Sequence, residues 1–292
     1  MKRRLYQLDV FTTKAYEGNP LAVITDGDEI SAARMQDVAR EMNLSETVFV
    51  QRPTNNRALA RLRIFTTTQE LPLAGHPVIG TWFLLAQLGV VPAAEGQVHI
   101  LQQTGAGILP VELSFHDGRP VRVTMTQKPA QFRATKIPRK AMAAALGLSA
   151  GDISADLPIE AVSTGIFNLM VPIASRKALG KISMNLAETA KLVRGVAQVV
   201  YCFALGGAGQ AFSRGMLPSG QEDPATGSAG GSLGAYLVRH EKLKVGERLK
   251  ILQGVEMKRP SQIEVVVDSG RGKFTPRVSG SAVCILEGHI EA

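Results

Sequence analysis

Two segments of the chain lead through a glycine into a run of apolar residues: QELPLAGHPVIG from Gln69 and QEDPATGSAGGS from Gln221. A Gly-rich turn that opens a helix leaves backbone N–H groups unpaired at the positive end of the helix dipole, which is an anion cradle. Such cradles are expected at Ala74-Gly75-His76 and at Thr226-Gly227-Ser228. Gly and Ser also mark ordinary helix starts, but the symmetry and glycine content of the pair favour the anion site. Two cradles on one ligand suit a carboxylate at a reacting carbon, because removing the neighbouring proton requires oriented donors for the charge that develops. Three side chains are candidates to move that proton. Glu46, in NLSETVFV, lies between a helix and a strand and is flanked by Leu44 and Val48. Partial burial there would favour its protonated form and suit it as an acid/base, although most Glu at strand starts are solvated. Asp223 could act as acid or base, orient a substrate amine or hydroxyl, or cap the helix. His76 could carry a proton, donate to an anion or serve structure alone.

The elements that must place these residues are mostly short strands. PLAVI (20–24), TVFVQ (47–51), LARLRIF (59–65), QVHIL (97–101), PVELSF (110–115) and PVRVTM (120–125) read as strands in the first half. FNLMVPIA (167–174), AQVVYCFAL (197–205), RLKIL (248–252), QIEVVV (262–267) and SAVCILE (281–287) do so in the second. Three surface helices are expected: Ser31–Met42, Asn185–Arg194 with Asn185 as cap and Glu188 at the capping-box position, and one bracketed by Pro138 and Gly147. Two others, at 77–89 and 228–238, are apolar or small on every face. A helix without a polar face must be buried all round, so a sheet has to wrap each of them. The two QE-P-G segments match without gaps at an offset of 152 (221 − 69), and at the same offset Val48 meets Val200 in similar strands. This predicts a duplicated domain, with KPAQFRATKIPR (128–139) as the linker.

Composition narrows the function classes. The formal charge is +8, but Lys and Arg are scattered, and aromatic residues are 5% with one Trp. That favours a solvated basic surface or a mild attraction for anionic substrates over nucleic-acid binding. The two cysteines, Cys202 and Cys284, sit in apolar stretches as small buried hydrophobes and show no metal-ligand spacing. No run reaches membrane-spanning length and the start lacks signal-peptide character, so a reduced cytoplasmic protein is expected.

The order DVFTTKAYEGNPLAV (9–23), NLSETVFV (43–50), AGHPVIG (74–80) and EDPATGSAGGSLGAYL (222–237) resembles the PhzF-like phenazine-biosynthesis family, within the diaminopimelate-epimerase-like fold. The resemblance spans essentially the whole chain. It implies an α+β fold of two pseudo-symmetric domains, each a barrel-like, mostly antiparallel sheet around a central buried helix. The expected domains are 1–128 plus 279–292, and 129–278, with the active site in the cleft between them and SAVCILE returning to the first domain. The resemblance further implies a homodimer and an isomerase without cofactor or metal, acting on trans-2,3-dihydro-3-hydroxyanthranilate or a similar cyclic amino acid. In such an enzyme Glu46 of NLSE shuttles the proton, with His76 of GHP and Asp223 of EDPATGSA in support. Gly75, Gly227, Ser228, Thr226 and Ser45 then surround the substrate carboxylate and its substituents.

Related epimerases and racemases invert a stereocentre with two opposed cysteines, one at each central-helix motif. This chain carries Ala74 and Pro224-Ala225 there, so two-thiol chemistry is not expected. The competing expectations are an epimerase or lyase on the same scaffold using Asp223 or His76, and a small-molecule binding protein without catalysis. No nucleic-acid or membrane partner is expected.

Overall fold

The computed structural model describes residues 1–92 and 94–292. The chain divides into two compact units, Met1–Thr126 with Ser279–Ala292, and Gln127–Val278.

The first unit contains β1 (Lys2–Val10), β2 (Asn19–Ile24), α1 (Ala32–Met42), β3 (Thr47–Gln51), β4 (Ala60–Phe65), β5 (Glu70–Leu71), α2 (Gly75–Gln87), β6 (Gly96–Thr104), β7 (Gly107–His116) and β8 (Arg119–Thr126). The second contains β9 (Gln131–Ala134), α3 (Arg139–Ala145), β10 (Glu160–Ser163), β11 (Phe167–Pro172), α4 (Arg176–Gly180), α5 (Leu186–Val193), β12 (Val199–Leu205), β13 (Gln210–Met216), β14 (Glu222–Asp223), α6 (Gly227–Arg239), β15 (Arg248–Gln253) and β16 (Ser261–Gly270). After β17 (Lys273–Gly280), β18 (Ala282–Glu291) belongs to the first unit again and pairs antiparallel with β1.

In the first unit the strands follow the spatial order β8-β7-β6-β4-β3-β2-β1-β18, antiparallel except for β2–β3 and β4–β6. The two ends of this run meet. The Ser281 hydroxyl donates to the Val121 carbonyl at 2.6 Å, and the hydroxyls of Thr124 and Ser279 lie 3.0 Å apart. The enclosed element is α2, buried continuously from His76 to Ala86 and packed on β1, β2, β3, β8 and β18. Its one indole, Trp82, is wholly buried and satisfies its N–H on Gln102 Oε1 at 2.7 Å. On the outer face, Met35, Val38 and Ala39 of α1 pack on Ala22, Ile24, Phe49 and Phe65, so the sheet is covered on both sides.

The second unit repeats the pattern. Its order is β9-β10-β11-β12-β13-β15-β16, with β11–β12 and β13–β15 parallel and the other pairs antiparallel. The short strands β5 and β14 append to β4 and β13 in the same way. Helix α6 has the same 13-residue length as α2 and packs on β10, β11 and β16. Helices α3, α4 and α5 cover the outer face through Met142, Leu146, Leu179 and Val193. The fold is therefore α+β and duplicated, each half a mostly antiparallel sheet around a buried helix.

Four local expectations need correction. The segment 128–139 is not a free linker: β9 lies within it and pairs with β10, the counterpart of the β18–β1 pair. The prolines and charges that suggested a linker belong to a short strand with an exposed face. Cys284 is exposed, because β18 alternates and presents that residue outward, whereas Cys202 is buried. At α5, Asn185 does accept from the Glu188 N–H at 3.1 Å, but the Glu188 carboxylate turns to Lys191 at 2.7 Å instead of closing a capping box. The constant offset also slips in the strands. Val48 opposes Ile64 whereas Tyr201 opposes Gly215, so Val48 is the counterpart of Tyr201 rather than Val200.

Between β1 and β2 the chain turns at Gly18, with φ +72°. A Cβ there would overlap the Val10 carbonyl oxygen and the Thr12 side chain. Gly18→Ala is expected to cost on the order of 2 kcal/mol through positive φ and overpacking, read as a lower urea midpoint. An unchanged midpoint would contradict the tight turn.

Candidate active site

The first unit brings Glu46 and His76 together. Helix α1 stops at Asn43, in the left-handed conformation with φ 51°, and three residues later Glu46 stands at the mouth of β3. His76 is the second residue of α2, whose N-cap, Ala74, supplies no side-chain cap. His76 Nε2 lies 3.3 Å from Glu46 Oε2, with side-chain exposures of 7% and 16%, so the pair is shielded. On the other side of the ring, the Asn19 amide Nδ2 is 3.5 Å from His76 Nδ1. An amide N–H can only donate, so Nδ1 accepts and Nε2 carries the proton, close to the carboxylate but not aligned on it as a hydrogen bond. Burial pushes the His76 imidazole down to about 3. The ring is therefore neutral at pH 7. Gly75 and Ser45 flank this pair in sequence and are half-buried.

The second unit brings Asp223, Thr226, Gly227 and Ser228 together around the start of α6. Thr226 holds the N-cap position but its hydroxyl caps no helix N–H; it donates to Asp223 Oδ2 at 2.8 Å. The first-turn carbonyls of Gly227 and Ser228 are held by Gln127 Nε2 at 3.0 Å and Thr164 Oγ1 at 3.2 Å. The N-cap residues of α2 and α6, Ala74 and Thr226, supply no side-chain hydrogen bond to their helices.

Each helix start is braced by a forked ion pair. Arg63 on β4 grips Glu70 on β5 at 2.8 and 2.6 Å, and Arg214 on β13 grips Glu222 on β14 at 2.9 and 2.7 Å. The Arg63 guanidinium holds the Glu70 carboxyl below the usual range. The sequence repeat contained both glutamates but not their reason, which is to hinge the short strand ahead of the central helix. Asn19 was also missed, although it lies in the quoted GNPLAV motif. A polar residue beginning an otherwise apolar strand was the available signal. Neither cysteine lies at the start of α2 or α6; Cys202 is on β12, where burial pushes its thiol up, and Cys284 is on β18.

A doubled sheet around buried helices with uncapped N-termini is the diaminopimelate-epimerase-like fold. A hydroxyproline epimerase from Agrobacterium vitis shares it at TM-score 0.68 and 14% identity, over 99% of this chain and 91% of that one. A Bacillus anthracis PhzF-family structure matches at TM-score 0.90 and 25% identity over 100% of both chains. Residues 8–288 match the family described as phenazine biosynthesis-like protein. The trans-2,3-dihydro-3-hydroxyanthranilate isomerase of Pseudomonas aeruginosa is 36% identical over 292 residues, 98% of each chain. The chain belongs to the PhzF-like family of isomerases. Among the described residues no helix is long and apolar enough to cross a membrane.

The buried neutral His76 ties stability to pH. Its folded value of about 3 lies below the ordinary histidine value of 6.5, so the unfolded chain binds the extra proton. The associated stability is full above about pH 6.5 and is lost as pH falls toward 3, at up to about 1.4 kcal/mol per pH unit. Urea unfolding at several pH values should show a shallower acid loss in His76→Gln than in the parent. Parallel profiles would contradict a neutral buried ring.

Proposed function

We propose that this isomerase moves a proton between two carbons of a small cyclic amino acid bearing a carboxylate, with Glu46 as the single acid/base. The observation that supports this most is the shielded Glu46–His76 pair, in which Nε2 of a neutral imidazole lies 3.3 Å from the carboxylate. The substrate class comes from the similar P. aeruginosa isomerase named for trans-2,3-dihydro-3-hydroxyanthranilate. Glu46 takes a proton from one ring carbon, the electron pair shifts through the adjacent double bond, and the Glu46 carboxyl, whose proton exchanges with solvent, delivers a proton to a second carbon. Nothing is consumed, and neither cofactor nor metal is called for. His76 stays neutral throughout and steadies the carboxylate in both of its protonation states.

The substrate carboxylate is taken by the uncapped helix N-termini, at Gly75 with Ser45 nearby and at Gly227 and Ser228. Asp223 accepts from the substrate amine or hydroxyl. That both units serve one molecule is part of the proposal, as are a homodimeric state and a cytoplasmic location. One base that takes and returns a proton suits a shift across one face, whereas the two-thiol route lacks its cysteines.

Glu46→Gln should lower kcat on trans-2,3-dihydro-3-hydroxyanthranilate by roughly 10²–10⁴-fold and abolish deuterium incorporation from D₂O. A variant retaining most of its turnover would remove Glu46 from the role. A parent enzyme that neither converts nor exchanges this compound would remove the substrate class.

A further inference from the structure

Gln253 ends β15 inside the second unit and is wholly buried. Two backbone groups fix the direction of its amide. The Thr226 N–H, which can only donate, is 3.2 Å from Gln253 Oε1, and the Asp223 carbonyl, which can only accept, is 2.7 Å from Nε2. With the amide fixed, Nε2 also donates to Thr226 Oγ1 at 2.9 Å. The Thr226 hydroxyl, having accepted, gives its own proton to Asp223 Oδ2 at 2.8 Å. At the far end the Tyr201 hydroxyl donates to Gln253 Oε1 at 2.9 Å and accepts from Ser213 at 2.8 Å. Burial pushes the Tyr201 phenol up, so it remains a donor. Every bond in this chain has one direction, and the chain ends on a carboxylate oxygen that must accept.

The fold does not require this network. By strand register, the positions of Tyr201, Ser213, Gly215 and Asp223 are filled in the first unit by Val48, Leu62, Ile64 and Leu71. Ala74 holds the N-cap place of Thr226. Thr104 stands in the place of Gln253, so the same strand-turn-helix is built once mostly from apolar residues and once around a buried polar chain. Gly215 completes the contrast, since a Cβ there would press on Thr226 Oγ1 and on Gln253 Nε2 at 2.9 Å. Buried polar groups cost stability unless all are satisfied, so their confinement to the half that carries Asp223 points to that carboxylate.

We propose that Gln253, Thr226, Tyr201 and Ser213 are positioning residues that lock the Asp223 carboxylate, as an acceptor, in one orientation for a hydrogen-bond donor on the substrate. The proposal rests on Asp223 contacting the substrate. Thr226 then acts through Asp223 and not on the substrate carboxylate.

The test compares Thr226→Val, Thr226→Ser and Gln253→Leu with the parent enzyme, by kinetics on trans-2,3-dihydro-3-hydroxyanthranilate and by crystal structures. Thr226→Val and Gln253→Leu should lose kcat/KM about 10- to 100-fold, as expected when an oriented buried hydrogen bond is removed. Thr226→Ser, which keeps the hydroxyl, should recover most of it. The Asp223 side chain should turn away or occupy several rotamers in the first two variants and keep the parent orientation in the third. A merely structural role would lower the melting temperature and leave Asp223 and the turnover of the folded enzyme as they are. An unmoved Asp223 in both Thr226→Val and Gln253→Leu overturns the proposal. Should Gln253→Leu fail to fold, the two Thr226 variants decide alone. Should the parent enzyme not act on the compound, the substrate reading falls, and the crystal structures still decide the positioning.

Discussion

A helix with no polar face has to be enclosed, and both central helices here are of that kind. Enclosure explains why strands wrap α2 on several sides and why a second layer of helices covers the outer face. It also explains the chemistry. The tip of such a helix is where its buried backbone reaches a polar setting, and neither N-cap side chain closes it. Glu46, His76 and Asp223 are all placed within a few residues of such a tip or on the strand beside it.

The duplicated scaffold then diverges in polarity. The first unit spends its polar groups on Asn19, His76 and Glu46, lined up so that one amide sets the tautomer of the ring. The second keeps the same backbone and builds a longer hydrogen-bonded chain from Tyr201 to Asp223. The forked Arg63–Glu70 and Arg214–Glu222 pairs are what the halves retain in common, which fits a structural task shared by both.

Much of this was legible in the sequence because the signals were local or strongly periodic. The all-apolar runs announced enclosed helices, Asn185 and Gly147 marked helix ends, and the QE-P-G repeat announced duplication. The residues missed were those whose meaning comes only from a distant partner. Asn19 matters through His76, 57 positions away, and Gln253 through Thr226, 27 positions away. Arg63 and Arg214 gained their sense only when β5 and β14 folded back on β4 and β13. The segment 128–139 misled because prolines and charges suit an edge strand as well as a linker. Cys284 misled because a strand's outward alternation is invisible where both faces read as apolar.

The pairing of β18 with β1 carries a consequence for how the chain matures. Tyr6 and Glu287, 281 positions apart, share a hydrogen bond at 3.1 Å across that pair. The second unit is one continuous stretch and can complete its sheet as soon as it leaves the ribosome. The first unit, although synthesised earlier, waits with the bare flank of β1 open to chance pairing until β18 emerges. The half that holds Glu46 and His76 is therefore the half finished last.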